Sequence, residues 1–241
     1  YTNRGRLITP LKDRFGAQIR THYPLDVETE MAIVAQEAQP VSADDLEVVT
    51  PPFMAEIVAT FSQLARQSSH INQRSGVSVR LSVTNAETME ANALRRALRA
   101  GDTEAVPRVS DLEALAASTS GKVELDTLDD DGGEVIDRLL KQAVLTVFRE
   151  RLDIAQLRGV IEAFDDGRVV HAGEDVSSRD EVALATEIPA LRDAVVALVE
   201  DDERPGVVAS AVELVLEGLH LSKRLNKDAD HAGTRATYRA R

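Results

Sequence analysis

Apolar residues recur along this chain mostly three and four apart, so the pattern predicts helices nearly throughout. Gln18 to Tyr23 is the exception, alternating with Ile19 on one face and Arg20 on the other, and reads as a short strand that Pro24 ends. Asp26 then suits the N-cap of a helix over VETEMAIVAQEA, with Val27, Met31 and Val34 at helical spacing and Pro40 closing the element. Thr50-Pro51-Pro52 opens a second helix, whose stripe is Phe53, Ile57, Phe61, Leu64 and Ala65. Ser78 is placed to cap a third, long helix reaching about Ala100, where Gly101 fits the position after the last turn.

From residue 101 the character changes. Residues 102–133 read as an acidic linker with one short helical piece, Asp111 to Ala117. The acidic run from Asp126 to Asp131 before Gly132-Gly133 lacks the bidentate Glu of a calcium loop, which leaves a solvated linker as the reading. A C-terminal helical region is predicted over 134–226. It comprises a helix from Glu134 to Leu152 (Val135, Leu139, Leu140, Ala143, Val144, Val147 inward), helical structure from Ile154 to Phe164, and a tight turn at Asp165-Asp166-Gly167-Arg168. Two further helices are predicted over about 180–200 and 206–226. The polar tail, 227–241, is expected to be flexible. At least six helices and one short strand result. A lone strand needs a sheet to pair with, and the chain opens at Tyr1 rather than Met, so it is expected to be a fragment of a longer protein.

Composition narrows the function classes. The 241 residues contain no cysteine, which removes disulfides, thiolate metal sites and cysteine nucleophiles. No apolar run approaches a bilayer span and no secretory signal is visible, so a cytoplasmic protein without a membrane span is expected. The net charge of −13 argues against general nucleic-acid binding. Its distribution is uneven: residues 1–24 hold Arg4, Arg6, Lys12, Arg14 and Arg20 against Asp13, a local +4 that suits an anionic partner. The sequence has no GxxxxGK[ST], GxGxxG, HExxH or GxSxG, and His22, His70, His171, His220 and His231 are scattered.

Two arginines stand apart. In Asp13-Arg14-Phe15-Gly16 a buried Phe and a turn Gly would hold the backbone and project the Arg14 guanidinium, whose planar fork suits a phosphate. Arg80, in SGVSVR, falls in the first turn of the third helix, where the helix dipole opposes a cation unless an anion is near.

The series TNRGRLITPLKDRFG, a strand ending in Tyr23-Pro24, a helix, and then FMAEIV, AR and SGVSVR resembles the C-terminal half of AAA+ ATPases. It is most like the magnesium-chelatase ATPase-subunit group and is also similar to MoxR-type and replicative-helicase relatives. The resemblance covers residues 1–100; residues 101–241 have no counterpart in it. It implies a mainly α fold: residues 1–24 as the end of the AAA+ α/β core with one residual strand, 25–101 as the helical lid, then an additional helical region. It also implies that Arg14 is the arginine finger, that Asp13 positions it, that Arg80 is sensor 2, and that Arg6 is a further contact in trans. The cofactors implied are ATP, with Mg²⁺ as its counter-ion, held mainly by Walker motifs upstream of Tyr1. The partners implied are further copies of the chain in a ring, and the activity implied is ATP hydrolysis that drives metal insertion or remodels a protein partner. A non-catalytic helical protein-interaction module of AAA+ ancestry is the alternative, and a DNA-helicase segment is disfavoured by the acidic body.

Overall fold

The structure, a computed structural model, describes residues 13–17, 19, 21–43, 46–72, 76–124, 132–230 and 234–241. It is mainly helical, with nine α-helices among those residues. They are α1 (Val27–Glu37), α2 (Pro52–Gln67), α3 (Arg80–Ala100), α4 (Leu115–Ser120), α5 (Gly132–Arg151), α6 (Arg158–Asp165), α7 (Ser178–Glu187), α8 (Pro189–Val199) and α9 (Pro205–Leu221). A two-residue ladder joins β1 (Ser42–Ala43) to β2 (Leu46–Glu47). A three-stranded antiparallel sheet has the order β3 (Val170–Ala172), β5 (Ala236–Ala240), β4 (Leu225–Ala229).

Several helix ends follow directly from the sequence. The Asp26 side chain accepts from Thr29 N at 2.7 Å and caps α1. Pro51 and Pro52 open α2, and Gly101 ends α3 with φ +70°, a conformation that glycine adopts without strain. The start of α3 differs from expectation. Val79 is its N-cap residue and makes no side-chain cap; Ser78 contributes its carbonyl, which accepts from Leu81 N at 2.9 Å.

The predicted stripes turn inward. Phe53, Ile57, Phe61 and Ala65 on α2 are buried, as are Val135, Leu139, Ala143, Val144 and Val147 on α5. These two helices pack on each other. α9 is buried on nearly every side from Gly206 to Leu219 and forms the central helix, packing against α5, α7 and α8. α5 and α9 approach so closely at Gly218 that a Cβ there would collide with the Phe148 ring. One hydrophobic cluster runs from Phe53 through Phe148 to Leu219 and Tyr238, so the regions expected at 25–101 and 134–226 share a core.

Four expectations need correction. Within the segment taken as an acidic linker, Ala105, Val106, Arg108, Asp111, Leu112 and Leu115 are buried. Its acidity was misleading because Asp102 and Asp111 face Arg96 and Arg108 inside the molecule instead of facing water. The tail taken as flexible supplies β5 and most of β4, because Leu225 and Tyr238 turn into the core while Asp228 and Arg239 face out. The single helix expected over 180–200 is two, α7 and α8, divided at Ile188, whose extended backbone is the one favoured before Pro189. Finally, Ile19 and Thr21 to Tyr23 belong to no strand; the rest of that expected strand, Gln18 and Arg20, lies outside the described residues.

Candidate functional site

Asp13 and Arg14 occupy an exposed turn, and among the described residues no ion pair joins them or engages Arg14 otherwise. Phe15, expected as a buried anchor, is 60% exposed, so it does not hold this turn. Arg6 lies outside the described residues. Arg80 is the first residue of α3, as the sequence suggests, and is exposed with no ion-pair partner among the described residues. Both guanidiniums therefore keep their donor forks available to an anion.

Arg14 and Arg80 do not touch, but a continuous chain of side chains links their segments. Nine residues after Arg14, the Tyr23 ring lies over the Arg66 guanidinium, with 5.1 Å from Cζ to the ring centroid. The loop before α3 also reaches Tyr23: Gly76 has φ +69°, and a Cβ there would collide with the Tyr23 hydroxyl. Arg66 on α2 donates to the Val77 carbonyl at 3.0 Å and grips both carboxylate oxygens of Glu30 on α1, with Nη2 to Oε1 at 2.6 Å. Glu30 is wholly buried. It also accepts from Ser82 on α3, whose hydroxyl in turn lies 2.8 Å from Ser62 Oγ on α2. Ser82 stands two positions after Arg80. The start of α3 is thus pinned to α1 and α2 by a buried ion pair, and the same Arg66 carries the Tyr23 contact.

The sequence assigns no role to Glu30 or Ser82, and Tyr23 and Arg66 enter it only within the stretches that carry the resemblance. A signal existed: Glu30 falls between Val27 and Val34 on the inward stripe of α1, where a lone carboxylate needs a buried partner.

A second buried network lies between α3, the 3₁₀ segment Val109–Ala114, α7 and α9. Arg96 meets Asp111 at 2.9 Å and Asp102 at 3.7 Å. Arg108, with no solvent exposure, meets Glu181 at 3.4 Å, Asp102 at 3.5 Å and Glu213 at 3.9 Å, and donates to the Val176 carbonyl at 2.9 Å. Two arginines face four carboxylates there. Burial pushes Glu181 well above the usual carboxyl range, and the nearby Glu213 adds to the rise while Arg108 opposes it. Burial raises Asp111 as well, against the pull of Arg96.

On the sheet side, Tyr238 donates to Glu217 at 2.7 Å beside a concavity of about 270 Å³, and Lys227 reaches the same carboxylate oxygen at 2.8 Å. Glu217 thus accepts from both Tyr238 and Lys227, and none of these three is placed as a nucleophile beside a base. Among the described residues, no group of three or more His, Asp or Glu could hold a metal ion, and no helix is long and apolar enough to cross a membrane. Comparison with protein-family models, with curated proteins and with solved structures finds no match to this chain.

Proposed function

We propose that this chain is the C-terminal part of a magnesium-chelatase-like AAA+ ATPase that works as a ring, with residues 25–101 as its lid. One observation carries the reading: two exposed arginines, with no ion-pair partner among the described residues, stand on segments joined through Tyr23, Arg66, Glu30 and Ser82. On this reading the phosphate loop and the Mg²⁺ ligands lie upstream of Tyr1. ATP supplies the γ-phosphoryl group whose transfer to water releases the energy. Arg14 extends toward the phosphates held by an adjacent copy and offers its fork to charge developing on the transferred group, with Asp13 orienting the turn. Arg80, at the N-terminal end of α3, pairs with the γ-phosphate within its own subunit, adding its charge to the positive end of the helix dipole. When Arg80 loses that anion, the start of α3 shifts together with the parts of α1 and α2 to which it is pinned. The rigid linkage through Ser82, Glu30 and Arg66 transmits the shift to Tyr23 and the Arg14 turn. The lid movement then remodels a protein partner or drives metal insertion.

Arg14→Ala in the full-length protein tests the assignment. ATP turnover falls about tenfold or more while nucleotide binding persists, and Arg14→Lys does not restore it. Turnover remaining within about twofold of wild type would overturn the role given to Arg14.

A further inference from the structure

A groove of about 720 Å³, open to solvent along one side, runs between α1, the β1–β2 ladder and α3. Met31, Val34 and Ala35 of α1, Val41, Val48 and the buried Met89 are among the residues that line it. Along α1 the lining extends from Met31 to Ala38, two helical turns or about 10 Å. Thioether walls adapt to differing apolar side chains.

The charge of the groove is one-sided. Its ionisable lining groups among the described residues are Glu47 and Glu90, and no Lys, Arg or His joins them. Glu90 is half-buried and accepts from Thr50 Oγ1 at 2.8 Å, with no cation within ion-pair distance among the described residues. Burial, with a smaller push from Glu87, raises its carboxyl above the ordinary range. Several other shielded carboxylates of this molecule have a cation at hand: Glu30 has Arg66, Glu56 has Arg151, Glu174 has Arg95 and Glu217 has Lys227. Glu90 thus brings a carboxyl with no cation beside it among the described residues to the lining of a largely apolar trough. A trough two turns long matches the i, i+3/i+4, i+7 stripe of one helix.

We infer that this groove docks an amphipathic helix of a partner protein, seating its apolar stripe between Met31, Val34 and Val48 and pairing a Lys or Arg of that helix with Glu90. Neither Arg14 nor Arg80 lines the groove, so the inference stands apart from the nucleotide reading.

The three methionines of the chain, Met31, Met54 and Met89, make the test direct. Met54 is fully buried and lies outside the groove, so it serves as an internal control. The full chain, labelled at its methionine methyls, is titrated with a synthetic peptide of about four helical turns bearing Leu on one face flanked by Lys. Saturable shifts larger at Met31 than at Met54 are expected. Affinity should weaken about tenfold in Glu90→Lys and by a smaller factor in Glu90→Gln, while a control peptide with Glu for Lys does not saturate. The inference is overturned by absence of saturation, by equal binding of the acidic peptide, or by indifference to both Glu90 variants. It is also overturned if the Met31 signal tracks protein concentration without peptide, which marks a second copy as occupant. Saturation by decylammonium where the peptide fails would mark a small-amine site instead and sink the docking claim.

Discussion

The Arg66 guanidinium is held between the Tyr23 ring, 5.1 Å from its Cζ, and the buried carboxylate of Glu30. One cation thereby joins the exposed N-terminal turn, through Tyr23, to the packed interior of α1, α2 and α3. Because Tyr23 is 46% exposed, its cation–π contact contributes modestly, about 0.5–1 kcal/mol. The Glu30 pair is the stronger anchor.

Gly76 and Tyr23 should show measurable coupling. Gly76→Ala places a Cβ against the Tyr23 hydroxyl at a position with φ +69°, and is expected to cost about 1–2 kcal/mol in urea unfolding. In a Tyr23→Ala background the collision is gone and only the backbone strain remains, about 1 kcal/mol. A double-mutant cycle with no interaction energy would show that Tyr23 does not rest on this loop in solution.

Removing Glu30 should be severe. Glu30→Ala leaves Arg66, with 10% of its side chain exposed, without its counter-charge, and strips an acceptor from Ser82. The expected loss is about 3–5 kcal/mol by denaturant unfolding. Replacing both partners together, as Glu30→Leu with Arg66→Met, should recover much of that loss, because no buried charge then remains unpaired. A double variant no better than Glu30→Ala would count against this account.

Glu181 fixes the sign of one pH dependence. Its folded-state pKa is raised above the ordinary value of 4.5, so the folded protein keeps a proton that the unfolded chain releases. The associated stability is fully present below pH 4.5 and is lost as pH rises from there toward the folded pKa. Glu181→Gln holds a neutral group at every pH. Its stability relative to wild type should therefore rise with pH above 4.5 and level off in acid. Parallel stability curves for the two proteins would show that Glu181 ionises normally. The other charged groups around it, Arg96, Asp102, Arg108, Asp111 and Glu213, are unchanged in both.

At the α5–α9 crossing, sterics and helix propensity oppose each other. Alanine favours a helix over glycine by about 1 kcal/mol. A Cβ at position 218 nevertheless meets the Phe148 ring, in a core where overpacking costs about 1–3 kcal/mol. Gly218→Ala is thus expected to lower Tm, and adding Phe148→Leu should reverse part of the drop. A Gly218→Ala protein more stable than wild type would mean that the two helices sit farther apart.

Much of the helical framework was legible in the residues. The Asp26 cap, the Pro51-Pro52 start, the Gly101 stop and the inward stripes of α2 and α5 depend on neighbours within a turn or two, and each was read correctly. The errors arose where long-range partners decide. The acidity of 102–124 resembles a linker until Arg96 and Arg108 are seen to face it. The polar tail reads as mobile until β5 is found paired with β3, more than sixty residues earlier in the chain. That Arg14 falls in a turn and Arg80 in the first turn of α3 was evident, but the linkage between their segments was not.

The sequence by itself determined where helices begin, where they end and which face they bury, because capping and periodicity act over a few residues. Only the tertiary structure decided which charges meet. Glu30 reaches Arg66 across 36 positions and Ser82 across 52, and Glu90 lines an apolar groove with no cation beside it among the described residues. A buried charge is stabilised by whatever the fold brings within a few ångströms, and sequence neighbours do not fix that.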